Sequence, residues 1–304
     1  MKDEALSQVC YARGLAVACR PEWRRDMRDL LVVLTVATLL VSPTIASATK
    51  IMPLDRATIL VSSPFDMKVE FDSQVAAADV SVTINGQPAA EVLGAGAIFI
   101  EREEGVAASA IRINNARIAE PGIYTIVARA GSEEKSVTWE VYGTAGTPKA
   151  KNVIFLIADG LSIAHRTAAR IMSRGMTEGK ANGRLNMDDL DRMALIGTSS
   201  TESIATDSAN TMSAYMTGHK SAVNALGVYA DRTKDSLDDP RVETLAEALR
   251  RQTRKSLGVI STAELQDATP AAVFSHTRRR ADKAVINEQT LKVRPHVLLG
   301  GGSA

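Results

Sequence analysis

The spacing of apolar positions changes character near residue 150. Before it, short β-branched segments alternate with turn residues at 58–61, 67–71, 80–84, 97–101, 110–113, 123–128 and 137–142. Seven short strands at that interval predict an all-β sandwich, with Asn85-Gly86 as a hairpin turn between two of them. Beyond Asn152 the runs lengthen. Residues 153–158 are apolar throughout, as in a parallel strand buried on both faces, and 162–174 has helical spacing through Ile163, Thr167 and Ile171. Segments 193–197 and 257–261 read as further strands. Residues 210–217, and the stretch carrying Val242, Leu245, Ala246 and Leu249, read as further helices. The alternation predicts an α/β domain with a largely parallel sheet and flanking helices, in which ligands collect at the carboxyl ends of the strands.

Within the first region, Glu120-Pro121-Gly122-Ile123-Tyr124 resembles the corner of an immunoglobulin-like sandwich, where a tyrosine ties a strand back to the preceding loop. Residues 49–146 are therefore expected to form an immunoglobulin-like domain. It holds no histidine, and Glu103-Glu104 reads as a solvated loop rather than a metal site, so spacing, docking or substrate access is its expected task. Residues 144–149, with Gly146 and Pro148, read as a linker to a second domain spanning 151–304.

Ahead of both regions, Arg24, Arg25 and Arg28 precede an apolar run at 30–41, and Ala46-Ser47-Ala48 follows as a small-x-small cut site. That order predicts a signal peptide over 1–48, cleaved after Ala48, and a periplasmic or secreted product. Met27 allows residues 1–26 to be an extension from an early start codon. The apolar run is too short for a stable membrane span, which needs about 20 residues. Cys10 and Cys19 both precede the cut, so no disulfide is expected in the mature chain.

Composition narrows the partners. Of 36 Lys+Arg and 35 Asp+Glu, six and five precede residue 49, leaving 30 of each, and aromatics make up only 4% of the 304 residues. Neither a basic surface nor stacking platforms for nucleic acid are indicated.

Chemistry gathers where three segments follow three expected strands. Asp159-Gly160 ends the run from Val153; Thr206-Asp207-Ser208-Ala209 follows the strand from Met193; Gln266-Asp267-Ala268-Thr269-Pro270 follows the strand from Leu257. Each brings an oxygen donor suited to hard cations, and Ser208 opens a helix among backbone N–H groups without intrahelical partners. Singly, Asp159 reads as a loop residue, Asp267 as a turn residue, and Ser208 or Thr269 as a helix cap. Jointly they describe a metal-assisted site for an anion.

Three ordered motifs carry a resemblance. The run 151–160, the pair Ala205-Thr206-Asp207-Ser208-Ala209 and Thr217-Gly218-His219-Lys220, and the run 261–272 resemble the N-terminal half of the catalytic domain of bacterial alkaline phosphatases. The resemblance implies a phosphomonoester hydrolase in which Ser208 is the nucleophile of a phosphoserine intermediate. It also implies Zn2+ and Mg2+ as cofactors: Asp159 bridging zinc and magnesium, Ser208 on zinc, Thr269 on magnesium and Asp267 holding magnesium-bound water. Arg280 aligns with the family's phosphate-binding arginine, with Arg278 and Arg279 as neighbouring registers. Aspartate at 267, where some relatives carry histidine, favours magnesium over zinc in the third site.

The family's remaining zinc ligands, an Asp-x-x-x-His pair, an Asp-His pair and a later histidine, and a glutamate for magnesium have no counterparts here. The histidines are His165, His219, His276 and His296, none directly or four residues after an aspartate. The chain accordingly reads as the front portion of a larger enzyme, with an apolar sheet edge left uncovered. The implied partner is a small-molecule phosphomonoester, with a homodimer of the full-length protein left open. A non-catalytic binding protein or pseudoenzyme, and a related phosphodiesterase or sulfatase, remain as alternatives.

Overall fold

The computed structural model describes residues 50–144, 146–147 and 150–302. The expected signal peptide, both cysteines and part of the linker lie outside them.

The first region folds as two sheets. The elements in chain order are β1 (Lys50–Met52), β2 (Ala57–Leu60), β3 (Phe65–Glu70), β4 (Val80–Ile84), β5 (Gln87–Pro88), the short helix α1 (Ala89–Leu93), β6 (Ala97–Ile100), β7 (Ala110–Ala116), β8 (Gly122–Ala130) and β9 (Glu133–Tyr142). One sheet has the order β1-β3-β7-β6 and the other β2-β9-β8-β4-β5, with β2 parallel to β9 and the remaining pairs antiparallel. Alternation puts Ile126, Ala128, Val137, Trp139 and Val141 inward from one sheet, against Ile51, Phe65, Met67, Val69 and Ile113 from the other. Trp139 is fully buried, meets the Phe65 ring edge-on with centroids 5.7 Å apart, and donates from Nε1 to the Pro53 carbonyl at 3.0 Å. Tyr124 Oη donates to the Glu120 carbonyl at 2.9 Å. Asn85-Gly86 turns β4 only into the two-residue β5; β6, the expected partner, joins the other sheet.

After the linker come α2 (Ile163–Arg174), the hairpin β10 (Met176–Thr177) and β11 (Lys180–Ala181), α3 (Ser208–Thr217), α4 (Leu245–Gln252), β12 (Gly258–Glu264), the single turn α5 (Ala268–Ala271), α6 (Lys283–Val293) and β13 (Val297–Gly301). Side chains cap these helices where the sequence offers them: Ser162 for α2, Asp207 for α3, Thr244 for α4 and Asp267 for α5. Gly218 ends α3 in the left-handed conformation at φ 78°. A core of Ala209, Met212, Leu226, Ala246, Ala268, Ala271, Ala272, Phe274 and Ile286 holds α3, α4, α5 and α6 together.

The parallel sheet departs from expectation. Among the described residues it consists of β12 and β13 alone. Segments 153–158 and 193–197 form no strand, and their side chains face solvent: Ile154 is 86% exposed, Leu156 89% and Leu195 88%. A strand buried on both faces needs a paired neighbour on each side, and no described segment supplies one. Phe155 still meets Tyr215 of α3 edge-on at 5.6 Å. None of the described helices is long and apolar enough to cross a membrane.

The described residues fall in one compact unit. The seam between the sandwich and the later elements is polar and buried. Lys68 of β3, with no exposed surface, donates to Asp231 Oδ2 at 2.5 Å, contacts Glu103 Oε1 and lies 3.5 Å from Glu70 Oε1. Arg232 returns to the sandwich, donating to Glu103 Oε2 at 2.6 Å, the Phe71 carbonyl at 2.6 Å and the Ser109 carbonyl at 2.9 Å. Glu103 is therefore not on a solvated loop: it is 4% exposed, because two cations neutralise it. Burial works against the Lys68 charge, but Asp231 and Glu103 outweigh it and hold the ammonium above its ordinary range. A second link runs from Ser63, whose hydroxyl donates to Glu243 at 2.6 Å, to Arg251 of α4, which grips Glu243 at 2.7 and 2.8 Å.

Asp239 is the strained member of this seam. It is 1% exposed; Oδ1 accepts from the Asp231 N–H at 2.7 Å, while Oδ2 has no partner among the described residues. Burial, with Asp231 and Asp238 nearby and only partly offset by Arg278, pushes its carboxyl up to about 7. A raised carboxyl stabilises the fold in its neutral form, most fully below the unfolded pKa near 4, and that contribution disappears as pH rises through about 7. Asp239→Asn, which keeps the acceptor without the charge, should raise stability by about 2–3 kcal/mol more at pH 8 than at pH 5, where part of the wild type's loss has already occurred. Urea unfolding at the two pH values measures the difference; equal midpoint shifts at both would refute it.

Candidate active site

Two helix starts converge on the loop that carries Asp159. The loop after 153–158 presents its carboxylate: Oδ1 accepts from Ser208 Oγ at 3.1 Å and Oδ2 accepts from Thr269 Oγ1 at 2.6 Å. Asp159 and Ser208 are separated by 49 positions in sequence, and Asp159 and Thr269 by 110. Long-range convergence of this kind is not produced by local capping.

Ser208 is placed by its neighbours. Asp207 accepts from the Asn210 N–H at 3.1 Å, and Asn210 Oδ1 accepts in return from the Asp207 N–H at 2.9 Å. This reciprocal box fixes the entry into α3, so Ser208 begins the helix half-buried beside unpaired N–H groups. Ala209 and Met212 anchor the other face of the helix in the core. Thr269 is placed similarly: Asp267 caps α5 through the Ala268 N–H at 2.8 Å, and Pro270 and Ala271 are buried behind it.

Arg280 joins the two carboxylates that precede these hydroxyls. Nη1 donates to Asp207 Oδ2 at 3.2 Å and Nη2 to Asp267 Oδ1 at 2.6 Å. Burial opposes ionisation at Asp267, yet the Ala268 N–H and the Arg280 guanidinium hold its carboxyl below the usual range. Arg280 is in turn held above its ordinary range by Asp267 and Asp207, against the pull of burial. Of the three adjacent arginines, Arg278 turns to the Thr233 carbonyl and Arg279 is exposed, so only Arg280 reaches the cluster.

Asp159, Ser208 and Thr269 form one hydrogen-bonded group, and Arg280, Asp207 and Asp267 another. The two are joined along the chain where Asp207 precedes Ser208, so the five residues singled out from the sequence form one set connected through bonds and chain. Asp207 was legible as the residue before the serine but not as the second carboxylate of the arginine fork. The signal for it is positional, since an N-cap carboxylate one residue before Ser208 points the same way as the helix start.

No histidine makes a contact to this set among the described residues. His165 completes the cap of α2 with Ser162, and His296 Nδ1 accepts from the Leu257 N–H at 3.1 Å. His219 is buried against Tyr229 Oη at 2.7 Å, and burial pushes its imidazole down to about 4. His276 Nδ1 lies 2.9 Å from the Gly227 carbonyl, which can only accept, and Nε2 lies 3.0 Å from both Glu247 oxygens. Both ring nitrogens therefore donate. Burial resists that charge, but Glu247 wins and holds His276 above its ordinary range. Gly227 has φ 59°, and a Cβ there would stand 2.6 Å from the Ser275 carbonyl, so the close approach requires glycine.

The donor set decides which metals the described residues fit. Carboxylates and hydroxyls from Asp159, Ser208, Thr269 and Asp267 are hard oxygen donors, as magnesium prefers. Zinc sites draw on nitrogen or sulfur, and neither is brought to Asp159 or Ser208 among the described residues. A separate group of carboxylates, Glu70, Glu103 and Asp231, has the spacing for a cation, but the Lys68 ammonium fills it.

Comparison with known proteins agrees with the motifs. The family model described as "Alkaline phosphatase" matches residues 150–304, just over half of the chain. Alkaline phosphatase H of Pseudomonas aeruginosa (strain UCBPP-PA14) is 34% identical over 199 residues, covering 56% of this chain and 39% of that protein. Streptomycin-6-phosphate phosphatase of Streptomyces griseus is 36% identical over 183 residues, covering 52% and 38%. The chain therefore spans about two-fifths of the length of these relatives. Among solved structures, a cold-active alkaline phosphatase from a Shewanella species matches with 28% identity and a TM-score of 0.42, covering 48% of this chain and 35% of that one. By its motifs and by the family match over 150–304, the chain belongs to the alkaline phosphatase family.

Proposed function

We propose that the whole protein is an exported, metal-dependent phosphomonoester hydrolase that works through a phosphoserine at Ser208. The observation that carries this reading is the connected set itself: a serine hydroxyl at a helix start, bonded to Asp159, with an arginine fork one residue away on Asp207. The names of the relatives, phosphatases of small phosphate esters among them, support the same substrate class. The immunoglobulin-like identity of the sandwich, the signal peptide over 1–48 and the boundaries at 49–146 and 151–304 belong to the same proposal.

Each residue has a task. Asp159 Oδ1 accepts the Ser208 hydroxyl hydrogen and so orients Oγ; removal of that proton frees a lone pair for attack on phosphorus. The Oγ–P bond forms as the ester P–O bond breaks, and the departing alkoxide takes a proton to leave as an alcohol. Water then cleaves the Oγ–P bond, releasing phosphate and returning the hydroxyl hydrogen. Arg280 spends one N–H of each terminal nitrogen on Asp207 and Asp267, which leaves three of its five N–H groups for phosphate oxygens. The first N–H groups of α3 add neutral donors for the same anion.

Magnesium fits Asp159 and Thr269 directly, with Asp267 beside them to hold its water; bound there, it would supply positive charge against the charge developing on phosphate. Zinc, which the family resemblance implies, finds no nitrogen donors among the described residues.

Ser208→Ala in the full-length protein should abolish labelled-phosphate trapping on acid quench and lower aryl phosphate turnover by at least about a thousandfold. Label retained on the variant would refute the nucleophile. Offered an aryl phosphate, an aryl phosphodiester and an aryl sulfate side by side, the wild type should prefer the first; turnover of none of them, with phosphate still bound, would favour the binding-protein reading. Protein stripped by dialysis and refilled with zinc alone should gain further activity on adding magnesium, and full activity without magnesium would argue against Asp267 as a magnesium partner.

A further inference from the structure

We propose that the β-sandwich is a positioning element for the phosphate clamp, acting through the loop 231–239, which bonds to Lys68 on one side and to the segment carrying Arg280 on the other. The inference rests on the reading of Arg280 as the phosphate-binding arginine.

The sandwich side of the loop is fixed by charge. Lys68 holds Asp231 at 2.5 Å, Glu103 holds Arg232 at 2.6 Å, and Arg112 of β7 reaches Asp238, 3.4 Å from its carboxylate. Within the loop, Asp231 Oδ1 accepts from the Thr233 N–H at 2.8 Å, so the anchored aspartate sets the turn that follows.

The other side meets the arginine segment at three points. Arg278 donates from Nη1 to the Thr233 carbonyl, and its own N–H donates to the Ser236 carbonyl at 3.1 Å. Ser236 Oγ donates to Asp282 Oδ2 at 2.7 Å, and the same carboxylate oxygen accepts from Thr277 Oγ1 at 2.9 Å. Residues 277 and 282 are thereby tied across the turn whose middle carries Arg280. Arg280 itself is held by its N–H on the Asn224 carbonyl at 2.9 Å, and its guanidinium is then the only part free to meet Asp207 and Asp267.

An arginine that recognises an oxyanion by a planar fork loses affinity when its backbone shifts by a fraction of an ångström, whereas a point charge would not. The seam thus has a task beyond adhesion. It explains why ionic groups are buried where apolar packing would hold two layers at less desolvation cost: hydrogen bonds with fixed direction transmit a position, and apolar contact does not. Ser236 and Lys68 are positioning residues in this scheme, since neither touches the site.

The test uses the full-length, metal-loaded protein and titration calorimetry with inorganic phosphate. Ser236→Ala removes one hydrogen bond at a half-buried position and should weaken phosphate binding about five-fold, with Ser236→Thr restoring it. KM for an aryl phosphate should rise by the same factor while kcat changes less than about two-fold. Lys68→Gln should weaken phosphate in the same direction, and because both links act through the one loop the double variant should lose less than the product of the two single effects. Wild-type protein that binds no phosphate, or binds it equally after Arg280→Ala, overturns the clamp reading and the relay with it. A wild type that binds through Arg280, with Ser236→Ala unchanged or with the two effects multiplying, overturns the relay alone.

Discussion

A lysine ammonium stripped of water is the constraint around which this fold is arranged. Lys68 is fully buried, and its charge is tolerable only because Asp231 and Glu103 lie within bonding distance and Glu70 lies at 3.5 Å. Those carboxylates come from β3, from the loop before β7 and from a loop more than a hundred residues later, so satisfying one cation requires the two regions to meet in one register. Everything downstream follows from that meeting. The antiparallel bridge between Phe65 and Val242 and the Ser63–Glu243–Arg251 chain become possible only at that alignment. An apolar seam of equal area could slide; this one cannot move without leaving a buried charge unpaired.

The sequence was legible wherever structure is local. All seven strands expected in the sandwich exist, within a few residues of their expected ends, because a period of two with turn residues between is a property of neighbours. Helical spacing announced α2, α3 and α4 for the same reason. Asp159, Ser208, Asp267 and Thr269 each follow an expected strand, which is why the sequence could group them although they lie far apart, whereas Arg280 entered only through the family resemblance. Non-local electrostatics was invisible. Glu103 and Glu104 look alike in sequence, yet the first is buried between Lys68 and Arg232 and the second is exposed. Strand pairing between β2 and β9, parallel across some eighty residues, likewise leaves no local trace.

The parallel sheet shows the opposite limit. Segment 153–158 has the composition of a strand buried on both faces and 193–197 that of a further strand, and such strands demand paired neighbours. Among the described residues the demand is not met, and the side chains stand in solvent. A pattern of apolar residues states what a segment needs, not whether it is supplied. What survives without those neighbours is instructive. Asp159, at the end of the unpaired 153–158 run, is still held by two hydroxyls, from Ser208 and Thr269.

That survival separates two kinds of order in the site. One kind comes from the sheet, whose strand ends aim their loops to a common edge. The other comes from side chains that bond each other directly: Asp159 to Ser208 and Thr269, Arg280 to Asp207 and Asp267, Asp207 to the start of α3. The second kind is present here with two strands of sheet. It is built from carboxylates that each serve twice, Asp207 and Asp267 as helix caps and as arginine partners, Asp159 as acceptor for two hydroxyls. A carboxylate with two obligations cannot rotate to satisfy one without losing the other, so each acts as a fixed point for two separate segments. The oxygen cluster is in this sense preassembled by the protein's own hydrogen bonds, and a hard cation entering it would meet donors already facing one another rather than having to gather them.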